Sequence, residues 1–93
     1  MRAVIVTGCA RGIGRAIALQ LAKDGHNMAL NDLPSSIHLL NDLQRDLTSR
    51  NPEIKSIITT GDVTRETEVQ RMVDETVHSL GSLDVVRRSS WLV

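Results

Sequence analysis

Phenylalanine and tyrosine are absent from this 93-residue chain, and Trp91 is its single aromatic residue. Whatever core it forms must be aliphatic. One cysteine, Cys9, excludes an internal disulfide and suits a reducing compartment. No stretch approaches the roughly 18 consecutive apolar residues of a membrane-spanning helix. The first residues run straight into a strand pattern with no basic leader or cleavage-type site, so the expected location is the cytoplasm. An excess of either charge is missing as well. Eleven Lys plus Arg balance eleven Asp plus Glu, so no field draws the chain to nucleic acid or to an anionic membrane. The three histidines, His26, His38 and His78, lack metal-ligand spacing. What remains as a partner is a small molecule or another protein.

What is present is an alternation of two periods. Hydrophobic residues make up 41% of the chain, enough for one domain whose core is real but thin, since a chain of this size buries roughly two-thirds of its unfolded surface. Residues 3–7 are a short apolar run rich in β-branched side chains, as in a strand buried on both faces. From Ile13 the period lengthens, with Ile13, Ala16, Ile17 and Leu21 on one expected helical face and Gly25 as the residue that ends the helix. A second apolar run covers residues 28–30. Ser35 or Ser36 is placed to cap a second helix carrying Ile37, Leu40, Leu43 and Leu47, closed by Asn51-Pro52. Residues 54–60 read as a third strand. Thr64 is placed to cap a third helix with a stripe of Val69, Met72, Val73, Val77 and Leu80, followed by Gly81, and residues 83–86 begin a fourth strand. The order β-α-β-α-β-α-β with right-handed crossovers predicts an α/β fold, a partial Rossmann or doubly wound parallel sheet with strand order 3-2-1-4.

The most specific stretch is TGCARGIGRA, residues 7–16, at the junction of the first strand and first helix. A diphosphate needs backbone donors, close approach and positive potential, and a glycine-rich strand-to-helix turn supplies all three. Gly8, Gly12 and Gly14 are spaced G-x-x-x-G-x-G, which is neither G-x-G-x-x-G nor the phosphate loop of ATP- and GTP-binding proteins. No Lys-Ser or Lys-Thr pair follows. Cys9 in this turn reads as a small filler with no base in sequence reach.

The turn resembles the T-G-x-x-x-G-I-G cofactor turn of the short-chain dehydrogenases/reductases. The resemblance continues through Asp32 after the second strand, Gly61-Asp62-Val63 after the third, and Gly81-Ser82-Leu83-Asp84-Val85 entering the fourth. It covers residues 1–86, the expected dinucleotide-binding portion. It implies an NAD(P)-dependent oxidoreductase that interconverts an alcohol and a carbonyl. It also assigns Gly8, Arg11, Gly12, Ile13 and Gly14 to the turn around ribose and diphosphate, with Thr7 bracing it. Asp62 would bond the adenine amino group and Val63 would pack on the adenine ring. Asp32, eighteen residues beyond Gly14, is placed to accept hydrogen bonds from the adenosine ribose and to repel a 2′-phosphate, which favours NAD over NADP. Arg11 pulls toward NADP, since the resemblance places a basic residue just before the second glycine in some NADP-using relatives.

The same resemblance implies a catalytic Tyr, a Lys four residues later, a Ser and an Asn. With no tyrosine in the chain, the Tyr-x-x-x-Lys element is not among these residues, so the chain alone is expected to bind without catalysing. After Val86 the family continues into an Asn-Asn-Ala-Gly turn, whereas here Arg87-Arg88-Ser89-Ser90-Trp91 follows. Residues 87–93 are therefore expected to be a tail outside the family plan, from a frame change, a retained intron or an incomplete gene model. An exposed fourth strand and an incomplete second helical layer predict marginal stability and poor solubility. Two other classes stay open from the residues: a stand-alone nucleotide-binding or interaction protein, and a methyltransferase-like nucleotide fold.

Overall fold

The computed structural model describes residues 3–83 and the backbone of residues 85–88. In chain order it forms β1 (Ala3–Thr7), α1 (Gly12–Lys23), β2 (Asn27–Leu30), a 3-10 turn (Pro34–Ser36), α2 (Ile37–Arg50), β3 (Ser56–Ile58), α3 (Glu66–Leu80) and β4 (Val85–Arg88). All strand pairs are parallel and the sheet order is β3-β2-β1-β4, as the alternating periods predict. β1 lies inside the sheet and every one of its residues is buried, which explains why it reads as a continuous apolar run rather than an alternation.

The core on one face of the sheet joins Val4, Val6, Met28 and Leu30 to Ala18 and Ala22 of α1 and to Leu40, Leu43 and Leu47 of α2. α3 contacts β1 and β2 from the opposite face, as right-handed crossovers demand once the strand order reverses after β3. α1 ends as expected at Gly25, whose φ is +88°. There the amides of Gly25 and His26 donate to the carbonyls of Ala22 and Leu21, each at 3.0 Å, closing the nested pair that satisfies a helix end. Gly81 ends α3 in the same left-handed conformation, with φ +83° and its amide on the Val77 carbonyl.

Several local expectations need correction. The buried line of α1 is Gly14, Ala18 and Ala22, not the face of Ile13 and Ala16; Ile13 is 49% exposed. Small residues four apart let the helix axis approach the sheet closely, while Ile17 and Leu21 of the expected face pack against the core partly buried. In α3 the fully buried positions are Met72 and Thr76, while Val77 of the expected stripe is 44% exposed. Thr76 tolerates burial because its hydroxyl donates to the Met72 carbonyl one turn back, at 2.7 Å. α3 begins after Arg65, not after a Thr64 cap, and Ser36 precedes α2 without a side-chain capping bond. The third strand is shorter than residues 54–60. Its ladder is closed off at one end by the Asn27 side chain, which accepts from the Lys55 amide at 2.8 Å. At the other end the Thr59 carbonyl is taken by the Asn31 side chain.

β4 runs on through Arg88, whose backbone pairs with Thr7. Asp84, part of the family-like stretch entering that strand, and residues 89–93 of the expected tail lie outside the described residues. Among the described residues no helix is long and apolar enough to cross a membrane.

The aliphatic core predicts the cost of opening it. Leu43→Ala removes a fully buried side chain and should lower unfolding free energy by ~2–5 kcal/mol. Urea denaturation followed by circular dichroism measures it, and a loss below about 1 kcal/mol would contradict this account of the core.

Candidate functional site: a glycine turn faced by two carboxylates

The ends of β1, β2 and β3 carry three loops that meet on one side of the sheet. The first leaves β1 at Gly8, whose φ of +63° places it in the left-handed region, as does the +62° of Gly12. A Cβ on Gly12 would meet nothing within 4 Å, so the space before it is open. Gly14 serves a different end. A Cβ there would stand 2.2 Å from the Gly8 carbonyl oxygen, so the turn can fold back over α1 only if position 14 has no side chain. Between them Arg11 is extended, with φ −155° and ψ 172°, exposed, and precedes the first turn of α1. No acidic residue occupies that first turn, and the positive end of the α1 dipole is left without a carboxylate of its own helix.

The second loop supplies one. The Asp32 carboxylate accepts the Ala10 amide at 3.1 Å through Oδ2 and the Leu33 amide at 2.8 Å through Oδ1. Its first bond crosses from β2 to the glycine turn and fixes the carboxylate beside it. The backbone on either side is tied as firmly. Asn31 donates its amide to the Val6 carbonyl at 2.9 Å and accepts the Cys9 amide at 3.0 Å, while the Asp32 carbonyl accepts the Gly61 amide at 3.1 Å.

The third loop, after β3, presents Asp62. Its Oδ1 accepts both the Thr64 amide at 2.9 Å and the Thr64 hydroxyl at 2.6 Å. These bonds, the hydroxyl's first, hold the Asp62 carboxyl below the usual carboxylate range. The Asp62 amide donates to Glu68 Oε1 at 3.0 Å. Oδ2 is left facing the Arg65 guanidinium at 4.0 Å, so it remains an ionised acceptor. Val63 beside it is half-buried.

The sequence-predicted residues thus gather around one end of the sheet: Gly8, Arg11, Gly12, Ile13 and Gly14 in the turn, Asp32 bonded to that turn, and Asp62 and Val63 on the loop tied to the Asp32 carbonyl. Ile13, exposed at the first turn of α1, belongs to this surface rather than to the core. Thr7 is buried beneath it. Asn31 was not singled out by sequence reasoning. It is 2% exposed, and its side-chain amide donates to the Thr59 carbonyl at 2.9 Å and the Gly61 carbonyl at 3.3 Å. An Asn closing an apolar run directly before a candidate binding residue was the available signal, since a buried amide must find partners. Glu68 and Thr64, which brace Asp62, carry no such signal.

Cys9 takes no part in this surface. It is fully buried, and burial pushes its thiol up to about 12. A thiol of that kind is not a nucleophile at neutral pH. A thiol reagent such as dithionitrobenzoate should leave the folded chain unmodified and react with one equivalent in denaturant; rapid reaction without denaturant would contradict the burial of Cys9.

Comparison with known proteins follows the same line. Residues 2–89 match the short chain dehydrogenase family. A short-chain dehydrogenase/reductase of Armillaria gallica is 42% identical over 90 residues, covering 91% of this chain and 32% of that protein. The short-chain dehydrogenase/reductase eriH of Hericium erinaceus is 40% identical over 84 residues, covering 88% of this chain and 32% of its own length. The chain therefore spans about a third of these curated relatives. Among solved structures, an alcohol dehydrogenase from the archaeon Thermococcus sibiricus, complexed with 5-hydroxy-NADP, superposes with a TM-score of 0.82 at 29% identity, over 92% of this chain and 35% of that one. With the glycine turn, the two carboxylates and the 3-2-1-4 sheet in place, the chain belongs to the short-chain dehydrogenase family.

Proposed function

We propose that these residues form the adenosine- and diphosphate-holding part of an NAD(P)-dependent oxidoreductase that interconverts an alcohol and a carbonyl. The observation that carries this is the Asp32 carboxylate bonded to the Ala10 amide of the glycine turn. It puts a fixed acceptor beside an open, amide-rich helix start. The residues present fit such a cofactor. Gly12 leaves free space, the start of α1 offers its amides to a diphosphate, and each Asp32 oxygen, already accepting one amide, keeps capacity for a ribose hydroxyl. Asp62 Oδ2 is an acceptor for the adenine amino group, and Val63 gives an apolar edge to the ring. When bound, the dinucleotide supplies hydride exchange at its nicotinamide; this chain's own residues bind and orient its adenosine end.

NAD is the proposed guest over NADP. A carboxylate held toward the ribose faces a 2′-phosphate with like charge, which disfavours binding. Arg11, exposed on the same turn, is the residue that offsets this repulsion in part. The tyrosine that the family resemblance implies as proton donor is not among the 93 residues, and we assign the chain itself binding without turnover.

Two measurements test this. Asp32→Ala should narrow the ratio of NADH to NADPH affinity by about tenfold, the scale of one charge-assisted bond exchanged for lost repulsion; an unchanged ratio in titration calorimetry removes the preference for NAD. The wild-type chain should bind NADH yet reduce no NAD with a panel of primary and secondary alcohols, and steady turnover would overturn the assignment of binding alone.

A further inference from the structure

Asn31 makes an unusual set of bonds for a residue one position from a ligand-facing carboxylate. Its side chain is buried, and its Nδ2 donates to the carbonyls of Thr59 and Gly61 and approaches the Met72 sulfur at 3.3 Å. Those two carbonyls flank the start of the loop that presents Asp62. The carbonyl between them, Thr60, points elsewhere and accepts from the Arg71 guanidinium at 2.6 Å. Gly61 is packed so closely that a Cβ would stand 2.9 Å from both the Arg71 Nη2 and the Met72 Sδ. The loop leaving β3 is therefore held from beneath by the Asn31 amide, together with the Arg71 guanidinium on Thr60 and the Asp32 carbonyl on the Gly61 amide. The backbone of the same Asn31 is fixed to the glycine turn through Val6 and Cys9. Asn31 thus links the loop of Asp62 to the loop of Gly8, beside the Asp32 carbonyl that accepts the Gly61 amide.

We propose that Asn31 is a positioning residue for purine selection, fixing the Asp62 carboxylate where it accepts from a 6-amino group and repels a 6-oxo group. The proposal rests on the adenosine-binding reading given above. Asp62 is an ionised acceptor with no proton to donate, so the discrimination of adenine from hypoxanthine depends on how firmly its Oδ2 is placed. Without the Asn31 amide, the Thr59 and Gly61 carbonyls lose their buried donor and must turn toward water or other groups. The loop then keeps only its bonds to Asp32, Glu68 and Arg71, and the looser hold lets Asp62 shift away from a 6-oxo purine that it would otherwise repel.

The test compares ADP with IDP, which differ at that one position of the base, by titration calorimetry on the full chain. Wild type should prefer ADP by about tenfold or more, the scale set by one bond to a charged group. Asn31→Ala should bring the two affinities to within about threefold, and Asn31→Ser, which keeps one donor, should fall between. Leu43→Ala, which weakens the core on the other face of the sheet, is the control and should leave the ratio as in wild type. If Asn31→Ala fails to fold, Asn31→Ser carries the comparison. A wild-type ratio retained in the folded Asn31 variants overturns the positioning role while leaving adenosine binding intact. Absence of ADP binding by the wild type overturns the binding reading and this proposal with it.

Discussion

Two adjacent residues at the end of β2 carry the hydrogen bonds on which the site depends. Asn31 and Asp32 together bind the loop after β1 and the loop after β3, through both their backbones and their side chains. In a parallel sheet the loops at the carboxyl ends of the strands have no ladder to order them relative to one another. Here that order comes from one buried amide and one carboxylate. Each bond is of ordinary strength, but the buried ones are costly to leave unmade, so the three loops take up a single arrangement with the rest of the fold.

The second constraint is the close approach of α1 to the sheet. Gly14 under the Gly8 carbonyl, with Ala18 and Ala22 continuing the line, brings the start of the helix directly behind the turn. That placement aims the helix N-terminus at whatever anion the turn admits. It also frees Ile13 from the core and leaves it on the site surface. The aliphatic core beneath, with Leu40, Leu43 and Leu47 filling the space between α2 and the sheet, supports β1 and β2 as a rigid base without any aromatic residue.

Much of this was legible in the sequence. The change of period from strand to helix gave the element order, and helix-ending glycines at 25 and 81 were recognisable because only a left-handed residue completes those caps. The glycine turn, Asp32 and Asp62 stood out by type and spacing. Other features depend on partners far away in the chain. The inward line of α1 is made of its smallest residues, which a search for large apolar side chains passes over. Thr76 replaces Val77 inside because a hydroxyl bonded to its own helix is as acceptable there as a methyl group. Asn31 reaches carbonyls 28 and 30 residues away, and no periodicity announces such a bond. The end of the third strand is hidden for the same reason, since the side chain that closes its ladder is that same Asn31.

In the proposed reading, this arrangement grips the adenosine end of a dinucleotide between a turn, a ribose acceptor and an adenine acceptor. Amide chemical shifts of the isotopically labelled chain, followed by NMR during titration with NADH, address this most directly. Saturable changes concentrated at residues 8–14, 32–33 and 61–64 are predicted. Absence of saturable change, or changes centred on the outer face of α2, would contradict it.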